Sequence, residues 1–264
     1  MINSDGKTAP VAPDPAGVET TLHELRFRVL ARTPYEHLFT ELGTLDVAER
    51  AIDDGCDVVY VDTFGDYAVE RIRALTSVPV LGAGEESIRH AARAHESFSI
   101  VTVWPESMRY LYDLRLTATP GGQQCRGVHH LSDDDELERI GRRDGVKARM
   151  GRHEGDIVDD LAALCRRALD EDRSEAVLLG CTCMSPVADA LRDRLDVPVL
   201  DPSAIGLAAA HAAALESTPA STGTSAVRHA GLAGAVVQGY LNAEQAESVW
   251  VDDCGVCAIT QSVS

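Results

Sequence analysis

The sequence predicts an α/β protein of two pseudo-symmetric lobes, each a parallel sheet flanked by helices. Three observations carry this. Apolar runs of strand length alternate with helix-period stretches along most of the chain, the pattern of βαβ units and parallel sheets. One stretch of that pattern occurs twice. The chain has 264 residues, 45% of them hydrophobic, enough for two α/β lobes of about 100–130 residues each.

In chain order, Arg26–Ala31 reads as a strand and Glu41–Asp54 as a helix. Val58–Val61 is a buried strand, Tyr67–Leu75 a helix, Val78–Leu81 a strand and Glu85–Ala94 a helix. A second series opens with the strand Phe98–Val103, followed by helix Met108–Leu116 and strand Gly127–Leu131. Ser132–Gly155 is dense in charge and glycine and reads as a solvated helix or a loop. Ile157–Leu169 has the apolar period of a long amphipathic helix. Strand Ala176–Leu179, helix Val187–Leu195, strand Val197–Leu200 and helix Ala204–Leu215 follow, then a Ser/Thr/Gly-rich linker, Ser217–Ser225.

The repeat pairs residues 58–94 with residues 176–213. Both copies run strand, short loop, amphipathic helix, then Val-Pro-Val-Leu, then a second helix; Val78–Leu81 matches Val197–Leu200 residue for residue. Superposing the copies, with one inserted residue, sets Thr63 opposite Cys181. Ligands of open α/β sheets bind at the carboxyl ends of strands, beside helix N-termini. Thr63-Phe64-Gly65 and Cys181-Thr182-Cys183 occupy that position in the two copies, so facing lobes bring them together across one cleft. The expected division is residues 1–97 plus 208–264 for lobe one and 98–207 for lobe two.

Composition narrows the function classes. A formal net charge of −18 repels phosphate backbones and argues against a nucleic-acid partner. The longest apolar stretches are too short to cross a bilayer. Met1–Pro15 has neither the basic start nor the apolar core of a secretory signal, so a cytoplasmic location is expected. The 7 cysteines, odd in number and irregularly spaced, then read as reduced thiols. Cys254 and Cys257 form a lone CxxC; a structural zinc site takes four ligands, so no metal is expected there.

Gly180-Cys181-Thr182-Cys183-Met184-Ser185-Pro186 resembles the second signature of hydantoin and allantoin racemases, in which Gly-Cys-Thr-Gly-Met-Ser is usual. Asp62-Thr63-Phe64-Gly65-Asp66 is similar to their first signature, usually Ala-Cys-Phe-Gly-Asp. Gly82–Ser87 and Phe98–Thr102 are similar to the segments that follow. As a set, over residues from about 45 to 215, these motifs resemble the aspartate/glutamate racemase superfamily, closest to its hydantoin racemase branch. The resemblance implies two facing lobes, no cofactor, a small carbon acid as substrate and a homo-oligomer. It also implies two cysteines flanking a Cα, one thiolate taking the proton and the other thiol delivering it. A carbon acid beside a carbonyl needs a base of tuned pKa and an oxyanion stabiliser, and a helix N-terminus lowers a thiol from its usual value of about 8.5. Cys181 is therefore the expected acid/base. Phe64, Gly65, Thr182 and Cys183 are expected to bind substrate through loop amides, and Thr102, at a strand end, to line the cleft.

Three departures matter. Thr63 stands where the first cysteine belongs, and a hydroxyl is a poor acid/base beside a thiol; it is expected to relay or donate a proton on the opposite face, or only to hydrogen-bond in its loop. Cys183 replaces a glycine, as a steric substitution, a tuner of Cys181 or a redox partner for it. The family's first strand ends in Ile-Asn-Pro-Asn, of which Ile2-Asn3 remains, with Asn3 as the candidate substrate contact. Asp66 either orients the first loop or caps the following helix. His129-His130 close a second-lobe strand. The leading expectation is racemisation or epimerisation next to a carboxylate or hydantoin-type carbonyl. The rivals are decarboxylation of a malonate-like acid with Cys181 as single proton donor, and a ligand-binding homologue without two-base chemistry.

Overall fold

The computed structural model describes residues 1–3, 12–216 and 231–246. The Ser217–Ser225 linker and the Cys254/Cys257 pair lie outside these residues. Among the described residues, eight strands form two four-stranded parallel sheets. The first holds β1 (Ile2–Asn3), β2 (His23–Glu24), β3 (Val59–Val61) and β4 (Val80–Gly82) in the order β2-β1-β3-β4. The second holds β5 (Phe98–Thr102), β6 (Cys125–His130), β7 (Ala176–Leu179) and β8 (Val199–Leu200) in the order β6-β5-β7-β8. The two orders are the same once the second set is renumbered, so the sequence repeat is a repeat of topology. β5 and β7 are buried along their whole length, as expected of inner strands covered on both faces.

Helices fill the crossovers: α1 (Pro34–Asp53), α2 (Val69–Arg73) and α3 (Ala83–Ala94) in the first series, and α4 (Arg109–Ala118), α5 (Val146–Gly151), α6 (Gly155–Asp172), α7 (Ala188–Arg192) and α8 (Pro202–Glu216) in the second. A last helix, α9 (Leu232–Ala246), packs on α1. α1 starts earlier than the apolar period suggests. Thr33 caps it, its hydroxyl donating to Glu36 Oε2 at 3.0 Å and accepting from the Glu36 amide, with Pro34 in the first turn. Thr33-x-x-Glu36 is the sequence pattern of a capping box, closed here hydroxyl to carboxylate, with proline at the helix start. α6 buries Ile157, Val158, Leu161, Leu164, Cys165 and Ala168 against the second sheet. α3 packs on α8, and each reaches across: α3 touches β7, and α8 touches β3 and β4. Asp62 fixes this crossing, because the Ser203 hydroxyl of α8 donates to its carboxylate at 2.7 Å.

Arg26–Ala31 is not a strand. Its polar groups bond to side chains instead of a ladder: Thr40 Oγ1 donates to the Val29 carbonyl at 2.7 Å and Tyr110 Oη to that of Ala31 at 2.8 Å. Arg26 is held by the buried carboxylate of Asp46 on α1. The segment lies over α1 and walls a cavity. Ser132–Gly155 resolves into a 3-10 helix at Asp134–Arg139 and α5, pinned where Glu136 accepts from the Val146 amide at 2.6 Å. No helix among the described residues is long and apolar enough to cross a membrane.

Candidate active site

Thr63 and Cys181 each lie two residues beyond the end of the third strand of their sheet. Both open onto the same cavity, of about 90 Å3. Phe64, Gly65 and Gly180 border it with them, as does Thr182, so the two loops that the repeat pairs do meet. The rest of the wall is mainly apolar and comes from Leu25–Ala31 on one side and Trp104, Met108, Leu111 and Tyr112 on the other. Among the described residues, no Asp or Glu lines the cavity, and Arg28 is the one formally charged side chain in its wall. In a chain of net charge −18, this leaves a local environment open to an anion. One edge of the Arg28 guanidinium is already engaged, by the Leu25 carbonyl at 2.8 Å and Glu24 at 3.1 Å.

Thr63 Oγ1 is buried with no hydrogen-bond partner among the described residues. A buried hydroxyl without a partner costs about 1–3 kcal/mol; here the cavity is where a partner would sit. Cys181 is half-buried in extended backbone, φ −152°, and caps the 3-10 turn Thr182–Val187 that leads into α7. The Cys183 amide donates to Cys181 Sγ at 3.1 Å. The two sulfurs are themselves bonded, a disulfide across a single residue with its Cα atoms 5.1 Å apart. The expectation of reduced thiols throughout is thus corrected for this pair: the turn after Cys181 folds the Cys183 side chain back onto it. Cys56, Cys125 and Cys165 are free. Burial pushes the Cys125 thiol up to about 11 and that of Cys165 up to about 12, so neither is a thiolate near neutral pH.

Not every expected contact faces the cavity. Cys183 is buried against the second-sheet core and reaches the site through its amide. Thr102 is fully buried; its hydroxyl meets Tyr112 Oη at 2.6 Å, and Tyr112 Oη donates in turn to the Gly180 carbonyl at 3.0 Å. Thr102 therefore stands behind the cavity wall and braces Tyr112, which itself lines the cavity. Gly180 allows this packing: a Cβ there would lie 2.8 Å from Thr102 Cβ and 2.9 Å from Ile100 Cγ2. Thr182 borders the cavity while its hydroxyl donates to the Asp62 carbonyl at 3.1 Å, tying the second loop to the first. Asn3 ends β1, at the place in the first sheet that Thr102 holds in the second; its side chain lies outside the described residues. His129 and His130 bond to Asp172 and to the Trp104 carbonyl and do not line the cavity.

Asp66 orients the first loop, and it caps α3, not the helix that follows it. Its carboxylate accepts from the Gly84 amide at 2.8 Å and the Glu85 amide at 2.6 Å. Gly84 has to be a glycine for this approach, since a Cβ would lie 2.1 Å from the Phe64 carbonyl oxygen. Burial raises Asp66 to about 7, against the pull of Arg115 and the two amides. Sequence reasoning missed Arg28, Trp104 and Tyr112. Arg28 was hidden by reading its segment as a strand, and the other two carry no motif.

Residues 8–210 match the Asp/Glu/Hydantoin racemase family. The chain belongs to that family. A hydantoin racemase of Pseudomonas sp. (strain NS671) is 30% identical over 167 residues, 63% of this chain and 62% of that protein; the match thus spans less than two thirds of the relative. Among solved structures, an allantoin racemase from Klebsiella pneumoniae has a TM-score of 0.63 at 24% identity, covering 83% of this chain and 88% of that one. A mutant of arylmalonate decarboxylase in the liganded form has a TM-score of 0.53 at 19% identity over 74% of this chain and 81% of its own. Both share the fold of this family member.

Proposed function

We propose that this chain is a cofactor-independent racemase or epimerase acting at a carbon next to a carboxylate or hydantoin-type carbonyl. Reduced Cys181 serves as the acid/base, and Thr63 meets the opposite face of that carbon. One observation carries the reading: Cys181 and the buried Thr63 hydroxyl, unpartnered among the described residues, sit at equivalent positions of two duplicated sheets and open onto one cavity. The naming of curated relatives as hydantoin racemases supports it. Cys181 takes the proton from Cα; charge builds on the adjacent carbonyl oxygen, beside the loops of Phe64-Gly65 and Thr182; the proton returns from either side. The Cys183 amide at Cys181 Sγ favours the sulfur as an anion.

A second reading rests on Thr63 itself. With Cys181 the one cysteine of the described residues in the cavity wall, the reduced site suits a reaction that needs one proton donor, such as loss of carbon dioxide from a malonate-like acid followed by protonation from Cys181. Proton NMR of reduced protein with candidate carbon acids in D2O separates the two. Racemisation is expected to place deuterium at Cα while both enantiomers appear. Carbon dioxide release with one product enantiomer would replace it with decarboxylation, and tight binding without exchange or release would leave a binding protein.

A further inference from the structure

The disulfide lies on the residue that the proposed chemistry needs as a thiol. We infer that Cys181 and Cys183 form a reversible oxidation site, in which a hydroperoxide converts the dithiol to the disulfide and withdraws Cys181 from catalysis. The loss of catalysis rests on the proposed function; the oxidation site does not.

The geometry supplies both halves of the reaction. Cys181 faces the cavity and is half-exposed, so a small peroxide reaches its sulfur. Cys183 sits behind it at 5% exposure, out of contact with the cavity but in contact with Cys181. A Cα separation of 5.1 Å falls in the range of about 4.4–6.8 Å that disulfides span, so the bridge forms with the backbone in place. The attacking species is a thiolate, and the amide aimed at Cys181 Sγ stabilises one there. Cys125 and Cys165, buried and with raised thiol pKa values, lack that help.

The chemistry balances. The Cys181 thiolate attacks one oxygen of the hydroperoxide, the O–O bond breaks, and the other oxygen leaves as hydroxide or alkoxide and takes a proton. Cys181 is now a sulfenic acid. The Cys183 thiol loses its proton as its sulfur attacks the Cys181 sulfur; the S–O bond breaks and hydroxide leaves with that proton as water. The two sulfurs give up two electrons in all, and the peroxide is reduced by two. An external dithiol reverses the bridge by exchange and becomes a disulfide itself. While bridged, Cys181 holds no proton and accepts none. Bridging also stops the sulfenic acid before it reaches the irreversible sulfinic state.

The test uses the intact protein, fully reduced with dithiothreitol, freed of it, and then exposed to a several-fold excess of hydrogen peroxide, which supplies the second equivalent that a sulfinic acid requires. Trypsin cuts after Arg173 and Arg192, isolating both sulfurs in Ser174–Arg192, apart from every other cysteine. The expected peptide is lighter by two hydrogen atoms and refuses iodoacetamide, and after dithiothreitol it takes two labels. Deuterium exchange into substrate should fall in proportion to the bridged fraction and return on reduction. In Cys183→Ala, activity normalised to that variant's own start should fall and recover only in small part, with Cys181 found as sulfinic acid. Two results would overturn the inference: both sulfurs still open to alkylation after peroxide, or wild-type Cys181 overoxidised beside a free Cys183. Bridging in a protein that in reduced form exchanges no carbon acid would support the oxidation site and count against the racemase reading, so the two fail separately.

Discussion

Replacing Thr182 with valine removes one hydroxyl and almost nothing else. The side chain keeps its shape but loses the 3.1 Å bond to the Asp62 carbonyl. Thr182 is 1% exposed, so water cannot take the place of the donor. Losing a buried partner costs about 1–3 kcal/mol. Taking about 2 kcal/mol, the thermal midpoint should drop by roughly 4–8 °C for a chain of this size. The same bond ties the Cys181 loop to the Thr63 loop, so its loss should also widen the gap between the two groups of the proposed chemistry. A displacement of about 1 Å is worth up to roughly 10²-fold in rate, and the fall should appear in kcat more than in KM. Thr182→Ser restores the hydroxyl and should recover most of both. Calorimetry and deuterium exchange on the three reduced proteins check this. Equal loss in the valine and serine variants, or a valine variant with unchanged midpoint and rate, would refute the reasoning, because then the methyl or neither group matters.

Further outcomes follow from the same contacts. Cys181→Ser should fold normally and lose about 10²–10⁴ in rate, measured as exchange of Cα hydrogen for deuterium. Thr63→Cys should raise racemisation, or erase the enantioselectivity of a decarboxylation, as read by chiral chromatography, since a second thiol then faces the substrate. Asp66 has a folded pKa of about 7 against an ordinary 3.8. The folded state therefore holds that proton more tightly, and its contribution to stability is complete below about pH 4 and lost as pH rises through 7; Asp66→Asn should flatten that slope in denaturant titrations. Arg173 ends α6 in the left-handed region at φ 53° and is exposed; Arg173→Gly should stabilise the protein by about 1 kcal/mol, seen as a higher denaturation midpoint.

The strands were legible where they are buried on both faces. Phe98–Thr102 and Ala176–Leu179 are unbroken apolar or small-residue runs that only an inner parallel strand accommodates. The repeat was legible because Val-Pro-Val-Leu marks the same strand in each sheet, and it paired Thr63 with Cys181, two residues that line one cavity. Arg26–Ala31 misled because its strand-like pattern serves the floor of a cavity, with Thr40 and Tyr110 satisfying its backbone. The start of α1 was written in Thr33-Pro34-Tyr35-Glu36, whose capping groups carry no apolar signal. α9 escaped because its contacts are tertiary: Glu49 of α1 accepts from the Gly231 and Gly234 amides, and Phe27 meets Tyr240 edge-on at 4.9 Å. Arg28, Trp104 and Tyr112 reach the cavity from three separate segments, and nothing in their local spacing says so. The spacing of Cys181 and Cys183 permits a bridge; the turn after Cys181 decides it.

The two sheets share one strand order, yet they present unlike residues, a threonine and a cysteine, at the position where the duplication makes them equivalent. Thermodynamics limits how far that inequality can show. Mirror-image substrates have equal free energies in water, so the equilibrium constant between them is one. For the proposed racemisation, the ratio kcat/KM must then be the same for either enantiomer, however poor an acid Thr63 is beside Cys181. The asymmetry is confined to how each ratio divides. The enantiomer whose proton faces Cys181 and the one whose proton faces Thr63 are free to differ in kcat and in KM, provided both change by the same factor.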